Sequence, residues 1–264
     1  RKEDVSMTMA RTAISSDGVP IVYDVQGDGP DTVVFVHGWT CNRSHWDTQV
    51  QAFSNSYRTI AVDLGGHGES GLERTDWTMP SFAEDVAAVL DRENVDRAVV
   101  VGHSMGGRVI GHVAHQLGRR VVGLVGADTL KFPRSHSKDG IAKIIRALES
   151  DYDRAVRNFV ESMFTGDTPE SVRSTIAEGM IGVPAAVGIG AMTGMMNDDG
   201  LPGFIEGLEI PIVLIISHGS SVDMDGAGEL GISLRFVTTE GHFVMNEDPE
   251  TFNQLLGEAL EKMF

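Results

Sequence analysis

The residues best suited to covalent chemistry lie in Val99-Val100-Val101-Gly102-His103-Ser104-Met105-Gly106-Gly107, where an apolar run meets Gly-x-Ser-x-Gly and a helical pattern follows. A strand that turns this sharply into a helix crowds its own backbone, so glycines at 102 and 106 leave room while Ser104 projects from the strand's end. Its hydroxyl then sits at a helix N-terminus, where developing negative charge is stabilised. That setting suits nucleophilic attack on an acyl carbon, provided a base is within reach. His242, in Gly241-His242-Phe243 between the last apolar run and the last helical stretch, is the best-placed general base. His103 occupies the variable slot of the turn, His112 and His115 fall on the following helix, and His218 falls in a loop. An acyl-transfer transition state also needs two donors for its oxyanion. The amide of Met105 supplies one, and the amide of Trp39, in a loop opened by Gly38, is the candidate for the other.

Such groups need a rigid frame. Runs rich in Val and Ile recur at Thr32–Val36, Arg58–Val62, Ala98–Val101, Val121–Val125, Ile210–Ile216 and Leu234–Thr238, which suits strands buried on both faces. Ala10–Ser15 and Val19–Val25 flank Ser16-Asp17-Gly18 and read as a hairpin, giving eight strands. Helices are expected at Pro80–Glu93, with Ser81 and Glu84 at capping-box spacing, at Met105–Leu117, and at Pro249–Met263 with Asp248 as N-cap. The expected fold class is α/β, an eight-stranded mostly parallel sheet flanked by helices. The alternation breaks between 131 and 203, where only helical stretches occur: Ile141–Leu148, Ala155–Phe164, Ser171–Met180 and Pro184–Met196. This segment reads as an inserted helical cap, residues 131–203, on a core of residues 1–130 and 204–264. Met163, Met180, Met192, Met195 and Met196 fall in it and offer an adaptable apolar lining.

With 264 residues, 41% of them hydrophobic, the chain can bury a sizeable core. Its 38 acidic against 21 basic residues give a net charge of -17, which repels phosphate backbones and anionic lipid surfaces. Neither nucleic acid nor a membrane is expected as partner, and no apolar run approaches the roughly 20 residues of a spanning helix. One cysteine, Cys41, allows no intrachain disulfide and no multi-cysteine zinc site. Neither a Gly-x-x-x-x-Gly-Lys loop nor His-Glu-x-x-His occurs, so no nucleotide, metal or other cofactor is expected. A cytoplasmic location is expected, with secretion or a periplasmic location left open because the sequence starts at Arg1.

Four motifs occur in a fixed order: His37-Gly38-Trp39, Asp63-Leu64-Gly65-Gly66-His67-Gly68-Glu69-Ser70, the Ser104 turn and Gly241-His242-Phe243. Together they resemble the α/β-hydrolase superfamily over nearly the whole chain, and most of all its bacterial serine esterases and lactonases with a helical cap between strands six and seven. The resemblance implies a triad of Ser104, His242 and a carboxylate, with His37 and the 63–70 loop structural. The superfamily usually keeps its acid after strand seven, and that spacing falls on Ser220 rather than an aspartate. Asp128, at the end of strand six, is the first alternative, as in the haloalkane dehalogenases on this scaffold; Asp223, or Asp225, is the second. A serine at the elbow excludes the dehalogenase and epoxide hydrolase mechanisms, which need a carboxylate nucleophile. The expected activity is hydrolysis of a small, fairly apolar ester or lactone. A carbon-carbon bond hydrolase, a perhydrolase and a triad-bearing ligand sensor remain alternatives.

Overall fold

The structure, a computed structural model, describes residues 10–130, 138–198, 205, 207–220, 222 and 224–264. Its principal elements, in chain order, are β1 (Arg11–Ile14), β2 (Pro20–Gln26), β3 (Thr32–Val36), α1 (Asp47–Phe53), β4 (Arg58–Val62), α2 (Met79–Arg92), β5 (Ala98–His103), α3 (Met105–Leu117), β6 (Val121–Ala127), α4 (Lys138–Ser150), α5 (Tyr152–Glu161), α6 (Glu170–Met180), α7 (Ala185–Asn197), β7 (Ile212–Ile216), α8 (Met224–Glu229), β8 (Ile232–Phe236), α9 (Val244–Glu247) and α10 (Pro249–Met263). The strands form one sheet in the order β1-β2-β4-β3-β5-β6-β7-β8. The pairs β1–β2 and β2–β4 are antiparallel and the other five pairs are parallel, so the sheet is mixed and mostly parallel.

β3, β5 and β7 are buried at every residue, because their unbroken aliphatic runs need cover on both faces. Helix α3 lies on β5 and β6 beside α2, while α10 covers β6 and β7. In β5 alone, Val99, Val100 and Val101 are fully buried, each stabilising the fold by about 1.5 kcal/mol or more. The strand that delivers Ser104 is therefore firmly anchored.

Several elements begin one to three residues from where the sequence pattern suggests, α2 and β8 among them. Helix α2 starts at Met79 after Thr78, with Pro80 in its first turn, because Met79 is buried and draws the helix one residue back. Ser81 does not cap it but donates to Asp76 Oδ2 at 2.7 Å. Strand β8 occupies Ile232–Phe236 rather than Leu234–Thr238, since Gly231 turns the chain at positive φ (69°) and Ile232 pairs with Ile212. The expected N-cap of α10 is present, with Asp248 accepting from Thr251 N at 3.2 Å.

Helices α4 to α7 lie between β6 and β7; the boundaries expected at 131 and 203 lie outside the described residues. Helix α4 rests on α5 and α7, and α7 on α2. Of the five methionines of this segment, Met180 and Met192 are buried among the helices, while Met163 borders a cavity beside His242. Among the described residues no single helix is long and apolar enough to cross a membrane.

Candidate active site

Parallel strands bring their carboxyl ends to one edge, and four such ends meet here. β5 and β6 pair through His103 and Ala127, so the residues that follow, Ser104 and Asp128, start side by side. Ser104 is partly exposed and sits at φ 52°, ψ -115°, a positive-φ conformation that costs a non-glycine residue about 1–3 kcal/mol. The turn is held by Ser104 N donating to Ala127 O at 3.2 Å and Thr129 Oγ1 donating to Ser104 O at 2.5 Å. A Cβ at position 102 would lie 2.4 Å from Gly106 O, and one at 106 would lie 2.5 Å from Val36 O, which is why the motif needs both glycines. The loop after β3 approaches the serine as closely: a Cβ at Gly38 would stand 3.2 Å from Ser104 Cβ.

Asp128 also takes positive φ (43°), with its N–H donating to Ile215 O of β7 at 2.9 Å. Its side chain is fully buried. Oδ2 lies 2.6 Å from His242 Nδ1, and Oδ1 accepts from Ser217 N at 3.0 Å and Ser217 Oγ at 2.9 Å. A carboxylate can only accept, so Nδ1 carries the proton and the neutral imidazole keeps its lone pair on Nε2. The His242 backbone is fixed from two sides: its N–H donates to Met163 O at 3.1 Å, and its carbonyl accepts from His103 Nε2 at 3.1 Å. The His103 and His242 rings stand 4.8 Å apart, so the imidazole lies next to the serine turn. Asp223 lies outside the described residues; Asp225 is exposed on α8. Ser220 lies 2.6 Å from Ser217, Oγ to Oγ.

The two candidate oxyanion donors differ in origin. Met105 N–H is the first amide of α3 and has no carbonyl within the helix to bond. Trp39 is buried, and its ring is held by Nε1–H donating to Gly188 O of α7 at 2.8 Å and by an edge-on contact with Phe159 of α5, centroids 5.3 Å apart. Neither backbone N–H donates to a protein acceptor among the described residues.

The remaining histidines near this edge act as neutral struts. His37 Nε2 accepts from Leu64 N at 3.0 Å and its Nδ1–H donates to Gly38 O at 2.8 Å, tying the 63–70 loop to the Trp39 loop. Burial pushes His37 down to about 3, and burial together with the nearby His37 pushes His67 down to about 3. Burial likewise holds His103 well below the usual range, with His242 adding to the effect. Behind them, buried Asp63 accepts from Arg43 N at 2.7 Å and Glu69 N at 2.9 Å, and Arg43 also bridges to Asp24. The Cys41 thiol is buried and pushed up, as expected of a packing residue rather than a nucleophile. Among the described residues no group of three or more His, Cys, Asp or Glu side chains is placed to hold a metal ion.

These struts make the fold acid-sensitive. A folded His37 or His67 protonates only near pH 3, whereas its unfolded counterpart protonates near 6.5, so the unfolded chain binds more protons through that window. Stability is full above about 6.5 and declines as the pH falls. Between pH 7 and pH 5 the two rings together should remove about 4 kcal/mol, near 2 kcal/mol each. Thermal unfolding at the two pH values checks this: a large drop in Tm at pH 5, smaller in His67→Gln, is expected, and equal Tm values would contradict it.

The sequence pattern of the alpha/beta hydrolase fold matches residues 31–176. Over 117 residues, 43% of this chain and 41% of the relative, the chain is 42% identical to a non-heme chloroperoxidase of Streptomyces lividans. Over 107 residues, 40% of this chain and 38% of the relative, it is 39% identical to a bifunctional esterase/perhydrolase of Acinetobacter calcoaceticus. The matches thus span about two fifths of these relatives' length. A thermophilic esterase from Thermogutta terrifontis superposes with a TM-score of 0.85 at 20% identity, over 97% of this chain and 99% of that one. That superposition concerns the fold alone, while the matched pattern covers more than half of the sequence: the chain belongs to the alpha/beta hydrolase fold family.

Proposed function

We propose that the chain is a serine hydrolase that cleaves a small, fairly apolar carboxylic ester or lactone through an acyl-enzyme on Ser104. The observation that carries this reading is the Asp128–His242 contact of 2.6 Å beside the strained serine turn. Ser104 Oγ attacks the acyl carbon as His242 Nε2 takes its proton, and the oxyanion that forms is met by the amides of Trp39 and Met105. The tetrahedral intermediate collapses, His242 returns the proton to the leaving oxygen, and the alcohol departs; for a lactone it stays tethered. Water, deprotonated by the same imidazole, then cleaves the acyl-enzyme. Asp128 remains ionised throughout, fixing the ring's tautomer and balancing its transient charge.

Helices α4 to α7 act in this reading as the cap, residues 131–203. Support comes from Met163 O holding the His242 backbone, and from Phe159 and Gly188 holding the Trp39 ring. The family relationship to an esterase/perhydrolase favours a second use of the same intermediate, in which hydrogen peroxide instead of water takes the acyl group and leaves as a peracid.

Short-chain p-nitrophenyl esters test the proposal. Steady turnover preceded by a burst of nitrophenol close to one equivalent of enzyme is expected when deacylation is slower than acylation. Saturable binding without turnover across the acyl series would contradict it and favour a sensor.

A further inference from the structure

Residue 220, where the resemblance sets the acid of the triad, is a serine, yet it still reaches Asp128, through Ser217. Ser217 and Ser220 follow β7, whose end lies beside that of β6, and Ser217 is almost fully buried. Asp128 Oδ1 has no proton to give, so the 2.9 Å contact with Ser217 Oγ must be donated by the serine. Ser217 has one hydroxyl proton and has committed it. The 2.6 Å contact between the two serines is therefore donated by Ser220 and accepted by Ser217. The direction of the chain is fixed by its acidic end: Ser220 donates to Ser217, and Ser217 donates to Asp128.

We propose that Ser217 and Ser220 are positioning residues, a hydroxyl chain that holds the displaced acid, Asp128, with Oδ2 turned to His242. The inference rests on the proposed role of Asp128 in orienting His242. Ser217 uses both its N–H and its O–H on one oxygen of the carboxylate, which leaves the other oxygen to the imidazole. Both serines border a cavity of about 480 Å³ that also touches Asp128 and His242, so the chain links a fully buried charge to a polar opening. A donated hydrogen bond stabilises the ionised form of a buried carboxylate, which otherwise pays the full cost of desolvation.

The signature is kinetic. Without the Ser217 hydroxyl the negative charge on Asp128 is shared less, so the carboxylate holds the protonated imidazole more tightly. Ser217 then holds the carboxylate through its N–H alone. Ser217→Ala should lower kcat about tenfold with KM within about twofold, and should move the acid limb of the kcat/KM profile to higher pH by about half a unit. Ser220→Ala, at a partly exposed position, should do the same to about a third of that extent. The other titratable groups near His242 are buried His103, and His218 and Glu240 across the cavity; both variants leave them intact. A purely structural role would lower Tm and leave the limb in place.

Profiles of wild type, Ser217→Ala, Ser220→Ala and Asp128→Asn, each with its Tm, decide the matter. An inactive Asp128→Asn with both serine variants shifted to higher pH supports the chain. An inactive Asp128→Asn with both serine variants on the wild-type limb overturns the hydroxyl chain alone. Near wild-type turnover in Asp128→Asn overturns the assignment of the acid and the hydroxyl chain with it.

Discussion

Ser104→Ala should lose on the order of 10⁶ in kcat on p-nitrophenyl esters, while its Tm stays within a few degrees of wild type. The asymmetry follows from the turn. The backbone bonds from Ser104 N to Ala127 O and from Thr129 Oγ1 to Ser104 O do not involve the removed oxygen. Alanine has the same Cβ and meets the same strain at φ 52°, so the fold changes little. Neither Cys41 nor the serines beside Asp128 replaces it: the Cys41 thiol is buried and pushed up, Ser217 donates to Asp128, and Ser220 donates to Ser217. Turnover within tenfold of wild type would remove Ser104 from the mechanism.

Asp128→Asn should cost up to about 10⁴ in kcat, and its geometry explains why the loss is so large for an almost isosteric change. Ser217 presents two donors, N–H and O–H, to one oxygen of residue 128. An asparagine must keep its carbonyl oxygen there and turn its NH2 toward His242 Nδ1. That ring nitrogen then becomes an acceptor, its proton moves to Nε2, and Nε2 can no longer accept from a serine. Asp223→Asn, the alternative read from the sequence, should stay within about twofold. The reverse pattern, Asp128→Asn active and Asp223→Asn inactive, would place the acid after β7.

The serine turn is legible in the sequence because all its determinants are local: a Val run, two glycines that a Cβ would push to within about 2.5 Å of backbone oxygens, and a helical stretch. His242 is legible from order alone, between the last strand and the last helix. Which carboxylate reaches His242 is only narrowed, to Asp128 first and Asp223 or Asp225 second, and the reason is topological. β6 and β7 are neighbours in register, so a carboxylate after either strand starts close to the same imidazole. What brings Asp128 to the ring is its positive φ and the bond from its N–H to Ile215 O, neither of which leaves a composition signal. Ser217 is invisible for a related reason, being the first of several polar residues after an apolar run, without a motif. The two-residue offset of β8 and the start of α2 at Met79 came from burial and pairing of Ile232 and Met79, which periodicity alone does not weigh. The link from Trp39 Nε1 to Gly188 O spans two segments far apart in sequence and could be found only in the folded chain.

Covalent trapping tests the central claim most directly. The protein is treated with a fluorophosphonate until esterase activity is lost, digested, and its peptides are weighed by mass spectrometry. A single adduct on the peptide carrying Ser104 is predicted, absent from Ser104→Ala and formed far more slowly in Asp128→Asn. Inactivation with the adduct on any other residue, or continued ester hydrolysis with Ser104 fully labelled, would contradict the account.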